Sequence, residues 1–177
     1  MIELEKTYLA KFIPDGLENC KYKEIIDVYI PKESAHPSLR LRKNGDHFEM
    51  TKKEPIKEGD ASQQQEQTII LTEQEFIALN KQVEGKRLRK IRYQLKYKNN
   101  TAEVDVFQDA LAGLILVDFE FKSNRDKNNF QMPDFCLADV TQEKFIAGGM
   151  LCGKSYENIK DDLARFGYKK LIMNSNI

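Results

Sequence analysis

Two neighbouring segments in the second half of the chain carry acidic side chains at alternate positions. Glu103 and Asp105 alternate with valines in the first segment, and Asp118 and Glu120 alternate with apolar residues in the second. Because successive side chains of a β-strand point to opposite faces, each segment predicts a strand with one ionised and one apolar face. Carboxylates at alternate positions lie roughly 7 Å apart, and at an effective dielectric of about 20 they repel by on the order of 2 kcal/mol. The fold must therefore bring cationic side chains, metal ions or water to this face.

Charges of a single sign recur in the same alternating pattern elsewhere in the chain. The face that alternation predicts carries Glu3, Glu5, Arg40, Arg42, Lys52, Glu66, Lys90, Arg92, Glu103, Asp105, Asp118, Glu120 and Lys122. One explanation is an open antiparallel sheet with one face in water. The segregation of sign favours a second explanation, a ligand that carries both signs. A polyphosphate with divalent cations is such a ligand, because arginine and lysine bind phosphate oxygens and carboxylates bind Mg²⁺ or Mn²⁺.

Turn residues divide the chain into about eight short strands with few helices. Strands are predicted at residues 2–10, 24–31, 66–72 and 86–100, in a hairpin at 38–53 and in the two acidic segments. Helices are predicted at 73–83, capped by Thr72, at 140–151 and at 157–167, with a mobile loop or lid at 54–65 and a loop at 123–133. Strands joined by short turns imply an antiparallel sheet, which either stays open or closes on itself.

Composition excludes several classes of protein. The length of 177 residues fits a single domain spanning 1–177. The 28 basic and 28 acidic residues leave no net charge, which disfavours nucleic acid as a partner. The absence of a long apolar run predicts no membrane span. Three cysteines without a C-x-x-C spacing predict reduced thiols and a cytoplasmic protein.

An ordered set of motifs over about the first 120 residues resembles the CYTH superfamily, the triphosphate tunnel metalloenzymes. These are the opening E-x-E, the R-x-R of LRLRKNGD followed by T-K-K, EQTIILT, KIRYQLKY, EVDVF and VDFEF. The resemblance implies an α+β fold, an eight-stranded antiparallel closed β-barrel with a few flanking helices. It also implies a charged tunnel that processes a triphosphate or polyphosphate with Mg²⁺ or Mn²⁺, and it makes a homodimer an expectation.

The resemblance assigns a role to each residue that matches a family motif. Phosphate binding falls to Arg40, Arg42, Lys52, Lys90 and Arg92, and metal binding to Glu3, Glu5, Glu66, Asp105, Asp118 and Glu120, with Glu66, Asp105 and Asp118 serving a second ion. Glu3, Glu5 and Tyr29 are the expected catalytic residues, Tyr29 as an acid/base or hydrogen-bonding group. Glu103 is expected either to line the tunnel or to form a structural ion pair, Lys122 to lie solvated at the rim, and Lys154 is a candidate phosphate contact at the tunnel mouth.

The first strand departs from the family signature E-x-E-x-K, because Thr7 occupies the position of the lysine. Lys6 points to the outer face unless a β-bulge turns it inward. The expected function is metal-dependent hydrolysis of the terminal phosphate of inorganic tripolyphosphate or an organic triphosphate. Two alternatives stay open: a class IV-type adenylate cyclase, and a non-catalytic polyphosphate- or nucleotide-binding module, since Thr7 removes one positive charge.

Overall fold

The computed structural model describes residues 2–57 and 59–173. The strands are β1 (Ile2–Ala10), β2 (Lys21–Ile30), β3 (Leu39–Asn44), β4 (His47–Pro55), β5 (Gln63–Leu71), β6 (Lys86–Tyr97), β7 (Asn100–Phe107), β8 (Ile115–Phe121) and β9 (Cys136–Asp139). The α-helices are α1 (Glu73–Gln82), α2 (Asn124–Asn129), α3 (Gly148–Leu151) and α4 (Tyr156–Ala164). Short 3₁₀ helices lie at Leu17–Asn19, Asp109–Leu111 and Lys144–Ile146.

Eight of the strands form a closed barrel in the order β5-β4-β3-β2-β6-β7-β8-β1. The ring closes where β1 pairs with β5, with Ile2–Leu4 opposite Gln63–Gln65, and every pairing is antiparallel. The ninth strand, β9, pairs with the end of β1. The predicted α+β fold, a closed eight-stranded antiparallel barrel with a few flanking helices, is confirmed.

The register of the ladders gives the barrel one continuous inner face. Residues that oppose each other across a ladder share a face of the sheet, so the inner face can be followed from strand to strand. Glu5 lies opposite Glu120, Arg92 opposite Asp105, and Arg42 opposite Asp27. Most of the charged residues predicted by alternation therefore face the barrel interior rather than bulk solvent, and Lys52 and Lys122 are the exceptions among them.

One end of the barrel interior is filled with apolar side chains. The inward residues Leu9, Leu88 and Phe107 belong to a buried cluster with Leu151 of α3 and Ile159 of α4. We call this end the apolar end. At the opposite end, which we call the mouth, two cavities share the lining residues Gln94 and Glu103.

The outer face of the barrel is covered by two further apolar clusters. Phe76 of α1 packs on Val28 and Leu41, which lie on β2 and β3. Phe119 of β8 belongs to a larger cluster with Phe135 from the segment before β9. The apolar faces of the strands thus point outward and pack in these two clusters.

Several predicted boundaries are corrected by the structure. The helix predicted at 140–151 is wrong, because this segment comprises a 3₁₀ turn and the four-residue α3, which begins at Gly148. A Cβ at Gly148 would overlap the Tyr29 hydroxyl, so the lack of a side chain there lets α3 approach the barrel closely. The loop predicted at 123–133 contains α2, whose N-cap Ser123 accepts a hydrogen bond from the Asp126 backbone. The capping of α1 by Thr72 is confirmed.

Within the described ranges, no helix combines the length and the apolar composition that a membrane crossing requires.

Candidate active site

Two arginines of β3 form a largely buried basic group of the interior. Arg42 donates to both oxygens of Asp27, from Nε at 2.6 Å and from Nη2 at 2.8 Å. Burial disfavours the ionised Asp27, but the guanidinium groups of Arg42 and Arg40 offset this and hold its pKa well below its usual range. Arg42 is therefore fixed as a cation by a buried bidentate ion pair.

Arg40 differs from Arg42 in having an unused donor. Its Nη1 donates to the Tyr29 hydroxyl at 3.2 Å, and the contact of its Nε with the Asp27 carboxylate is long, at 3.9 Å. Its Nε is buried and finds no hydrogen-bond partner among the described residues. Because an unsatisfied buried donor is costly, this atom is suited to an anionic ligand.

Lys90 and Arg92 of β6 share one buried carboxylate. Asp105 accepts from Arg92 Nε and Nη2, each at 2.6 Å, and from Lys90. Burial raises the pKa of Asp105, but Arg92 and Lys90 outweigh it and bring the pKa to about 2. Arg92 also binds Glu103, and it contacts Asp118 at 3.2 Å. The cations of β6 are thus held in place by the acids of β7 and β8.

The carboxylates of β1 and β8 form an acidic side of the interior. Burial raises the pKa of Glu5 to about 7, with Lys53 lowering it and the neighbouring Asp118, Glu3 and Glu120 raising it further. Burial and the charges of Glu103 and Glu3 raise the pKa of Glu120 as well. Among the described residues, the Glu5 carboxylate accepts one hydrogen bond, from Gln64 Nε2 at 3.2 Å. These acids repel one another, and a cation bound among them would relieve the repulsion.

The lysine that faces this acidic side is Lys53. It binds Glu3 and lies 3.2 Å from Glu66. Lys52 points to the outer face, where its half-exposed side chain pairs with Glu54 at 3.0 Å. The prediction that Lys52 faces the interior is wrong, because the β3–β4 register places Thr51 opposite Arg40 and strand alternation then turns Lys53 inward.

Sequence reasoning also missed two inward acids. Asp27 holds Arg42, and Glu49 lies opposite Arg42 with its carboxylate 3.9 Å from Nε. Asp27 could have been found, because it alternates with Tyr29 on β2. Glu49 lies in the predicted return strand of the hairpin. If the alternation of side-chain direction is continued from Arg42 through the turn, the Glu49 side chain points into the barrel interior.

Thr7 takes the inward position in β1, where the family signature has a lysine. Its hydroxyl donates to Asp118 at 2.7 Å. The β1–β8 ladder runs without a shift from Leu4 to Leu9, so no bulge turns Lys6 inward. Lys6 instead lies 3.8 Å from Asp139 of β9. The expected outward direction of Lys6 is confirmed.

The remaining predicted residues lie in different surroundings. Tyr29 is buried beside Arg40, and because burial raises its pKa, it acts there as a neutral hydrogen-bonding group. Glu103 forms the ion pair with Arg92 and also lines the mouth. Lys122 is exposed at the mouth. Lys154 follows α3, which packs at the apolar end, and so lies away from the mouth.

The acids predicted to bind a second ion are not gathered as a metal site. Glu66 contacts Lys53, Asp105 contacts Lys90 and Arg92, and Asp118 is engaged by Thr7 and Arg92. Within residues 2–57 and 59–173, no three His, Cys, Asp or Glu side chains are placed together to hold a metal. The donor chemistry of Glu3, Glu5 and Glu120 nevertheless fits a hard divalent cation, since all their donors are carboxylate oxygens.

Comparisons with known proteins give a consistent result. No family model matches the chain. The inorganic triphosphatase of Nitrosomonas europaea (strain ATCC 19718) is 32% identical over 145 residues, which span 81% of this chain and 92% of that protein. A crystal structure of an inorganic triphosphatase matches with a TM-score of 0.61 and 29% identity, covering 85% of this chain and 93% of that one. A putative adenylate cyclase from Bacillus halodurans shares the fold alone, at a TM-score of 0.52 and 15% identity over 99% of this chain and 95% of that one.

The fold is a closed antiparallel barrel, and its interior has a basic side and an acidic side. This arrangement suits a class of proteins that bind an anionic ligand together with cations. Given this architecture and the relative at 32% identity, the chain belongs to the CYTH superfamily, the triphosphate tunnel metalloenzymes.

Proposed function

We propose that this chain is a divalent-metal-dependent triphosphatase that hydrolyses the terminal phosphate of a triphosphate bound inside the barrel. The observation that carries the proposal is the arrangement of Arg40, with its free buried donor, and Lys53 across from the carboxylates of β1 and β8. Inorganic tripolyphosphate is the proposed substrate because the relative at 32% identity is an inorganic triphosphatase.

The basic side binds and orients the phosphate chain in this proposal. Arg40 offers Nε to a phosphate oxygen without giving up a short ion pair, since its contact with Asp27 is long, at 3.9 Å. Lys53 turns from Glu3 towards phosphate, and Arg92 shares its charge between Asp105 and the ligand. Asp27 and Tyr29 hold the two arginines in position, which limits the entropy lost on binding.

The acidic side holds the metal ion in this proposal. Glu3, Glu5 and Glu120 are the proposed ligands for Mg²⁺ or Mn²⁺. An ion bound there supplies positive charge to the phosphoryl oxygens and lowers the pKa of a bound water. Phosphoryl transfer depends mainly on positioning and electrostatics, so segregated charge in a closed interior fits this reaction.

The proposal is tested by measuring the products released from tripolyphosphate, ATP and thiamine triphosphate with Mg²⁺, with Mn²⁺ and with a chelator. We expect orthophosphate from tripolyphosphate that depends on metal and is lost in Glu5→Gln. Release of pyrophosphate and cyclic nucleotide from ATP would instead identify a cyclase. A raised melting temperature without any product would identify a binding module, and neither turnover nor binding would refute the proposal.

A further inference from the structure

The strand β5 continues past the point where the barrel closes. Its ladder with β1 ends at Gln65, whereas its ladder with β4 runs on to Leu71. In the part of the chain that the structure describes, no strand pairs with Gln67–Leu71 on the side away from β4. We call this stretch the open edge. The helix α1, which follows it, turns away from the open edge, because Phe76 anchors the helix over β2 and β3.

The backbone groups of Thr68 and Ile70 point out of the open edge. Ile56 donates its N–H to the carbonyl of Gln63, so the backbone groups of Gln63 point towards β4. These directions alternate along a strand, and the β4–β5 register continues without a shift to Leu71. The N–H and C=O groups of Thr68 and Ile70 therefore face away from β4. A row of such groups is a template for pairing with another strand.

The side chains of the open edge are apolar or uncharged. Residues 67–71 read QTIIL, without the lysine or proline that protects the edge strands of many monomers. Ile69 and Ile70 are 57% and 75% exposed. Because adjacent residues of a strand lie on opposite faces, both faces of the open edge carry exposed apolar surface. This composition favours pairing with another strand over solvation.

The open edge is complementary to a second copy of itself. A twofold axis between the Ile69 residues of two copies brings Thr68 of each copy opposite Ile70 of the other. These are hydrogen-bonded positions of an antiparallel ladder, so each outward N–H meets an outward C=O. The two Ile69 side chains then meet at a non-hydrogen-bonded position, where opposite Cα atoms lie about 4.5 Å apart. No like charges meet along residues 67–71, and the whole chain carries no net charge.

We propose that two copies of this chain associate through the open edge of β5, in an antiparallel β5–β5 ladder centred on Ile69. The resemblance to the CYTH superfamily implies a homodimer but gives no surface for it. A single strand pair makes a small interface, so we expect a dissociation constant of about 1–100 μM. This association is independent of the proposed function, since no residue of the open edge belongs to the proposed phosphate or metal site.

Sedimentation equilibrium of the whole chain at about 1–200 μM tests the surface. Ile69→Lys places two like charges opposite each other, and we expect it to weaken association by about tenfold or more. Ile70→Pro removes an outward N–H and spares the ladder with β4, so we expect a loss of about the same size. Ile56→Lys is the matched control, because Ile56 is 50% exposed and lies beside Gln63, at the other end of β5. It should change the dissociation constant by no more than about twofold.

Single cysteines test the register of the ladder in a Cys20→Ser background, in which the two remaining native cysteines are buried. Ile69→Cys should give a disulfide-linked dimer on mild oxidation, because Cα atoms about 4.5 Å apart are within the range of that bond. Gln67→Cys is the control on the same face of the strand. Its two copies would lie about 14 Å apart and should not cross-link.

A wild-type protein that stays monomeric up to about 200 μM would overturn the proposed association. The same conclusion would follow from a dimer that Ile69→Lys and Ile70→Pro leave intact, or from equal losses with Ile69→Lys and Ile56→Lys. Circular dichroism shows whether each variant is folded, and Ile69→Lys with the cysteine pair decides should Ile70→Pro not fold. Sedimentation and cross-linking do not depend on turnover, so a failure of the proposed function would be recognised separately.

Discussion

At the scale of single residues, adjacent lysines on β4 have opposite orientations. Lys53 faces Glu3 and Glu66 inside the barrel, while Lys52 pairs with Glu54 outside. We predict that Lys53→Gln raises KM for tripolyphosphate about tenfold, because a charge-assisted contact to phosphate is lost. Lys52→Gln is the matched control and should leave steady-state kinetics unchanged. Equal effects of the two substitutions would contradict the register of β4.

Asp105 carries a pH-dependent part of the stability. Its pKa falls from 3.8 to about 2 in the fold, despite burial, because Arg92 and Lys90 stabilise the carboxylate. A depressed carboxyl pKa contributes stability that is present above 3.8 and is lost as the pH falls towards 2. We predict that Asp105→Asn lowers the free energy of unfolding by about 3 kcal/mol at pH 7.

Urea unfolding at several pH values tests this prediction. The difference between wild type and Asp105→Asn should shrink as the pH is lowered below 3.8. Asp109→Asn is a control on the surface, where the exposed carboxylate pairs with Arg89 and contributes little. A difference that is independent of pH would show that Asp105 acts through packing rather than charge.

Strand alternation was sufficient to predict most inward residues but not all of them. Arg40, Arg42, Lys90 and Arg92 were placed correctly because each same-sign pair marks a face without ambiguity. The segment T-K-K contains two lysines, Lys52 and Lys53, and residue type alone does not show which of them points into the barrel. Only the register of the β3–β4 ladder shows that Lys53 does. The sequence could not show whether Glu66, Asp105 and Asp118 bind a second metal ion. The distance between an acid and its neutralising cation depends on which strands become neighbours.

At the scale of secondary-structure elements, the short helix α3 depends on a close approach to the barrel. A Cβ at Gly148 would overlap the hydroxyl of Tyr29, which in turn hydrogen-bonds Arg40. We predict that Gly148→Ala costs about 1–3 kcal/mol of stability through overpacking. It should also weaken tripolyphosphate binding, because a displaced Tyr29 no longer orients Arg40.

A double-mutant cycle isolates this contact. Combining Gly148→Ala with Tyr29→Phe removes the overlapping oxygen, so the cost of Gly148→Ala measured by thermal unfolding should be smaller in that background. The ring carbon that bears the hydroxyl remains close, at 2.9 Å from the added Cβ, so the relief should be partial. If the stability effects of Gly148→Ala and Tyr29→Phe are strictly additive, α3 accommodates the added methyl group by moving.

At the scale of the whole molecule, the closure of the barrel was predictable while its seam was not. The strand pattern left an open and a closed sheet as alternatives, and the resemblance to the CYTH superfamily implied the closed barrel. The β1–β5 ladder that closes the ring involves Gln63–Gln65. This polar stretch has no alternation of apolar residues, so its sequence predicted a loop. Its strand conformation follows from pairing with β1, a non-local contact that no local pattern reports.

The filling of one barrel end is likewise a property of the assembled fold. Leu9, Leu88 and Phe107 come from three strands and meet α3 and α4 only in the closed barrel. Alternation places these three residues on the same face as the charged side chains, and no local pattern shows that the final helices cover that end. The charged residues of the interior are thereby confined between the apolar end and the mouth.

We propose that the barrel interior hydrolyses tripolyphosphate at its terminal phosphate. A ³¹P NMR time course of tripolyphosphate with Mg²⁺ tests it most directly, comparing the wild type with Glu5→Gln. The proposed mechanism predicts that orthophosphate and pyrophosphate appear in equal amounts with the wild type, and that Glu5→Gln abolishes turnover while tripolyphosphate still binds. Unchanged turnover in Glu5→Gln, or no hydrolysis by the wild type, would contradict it.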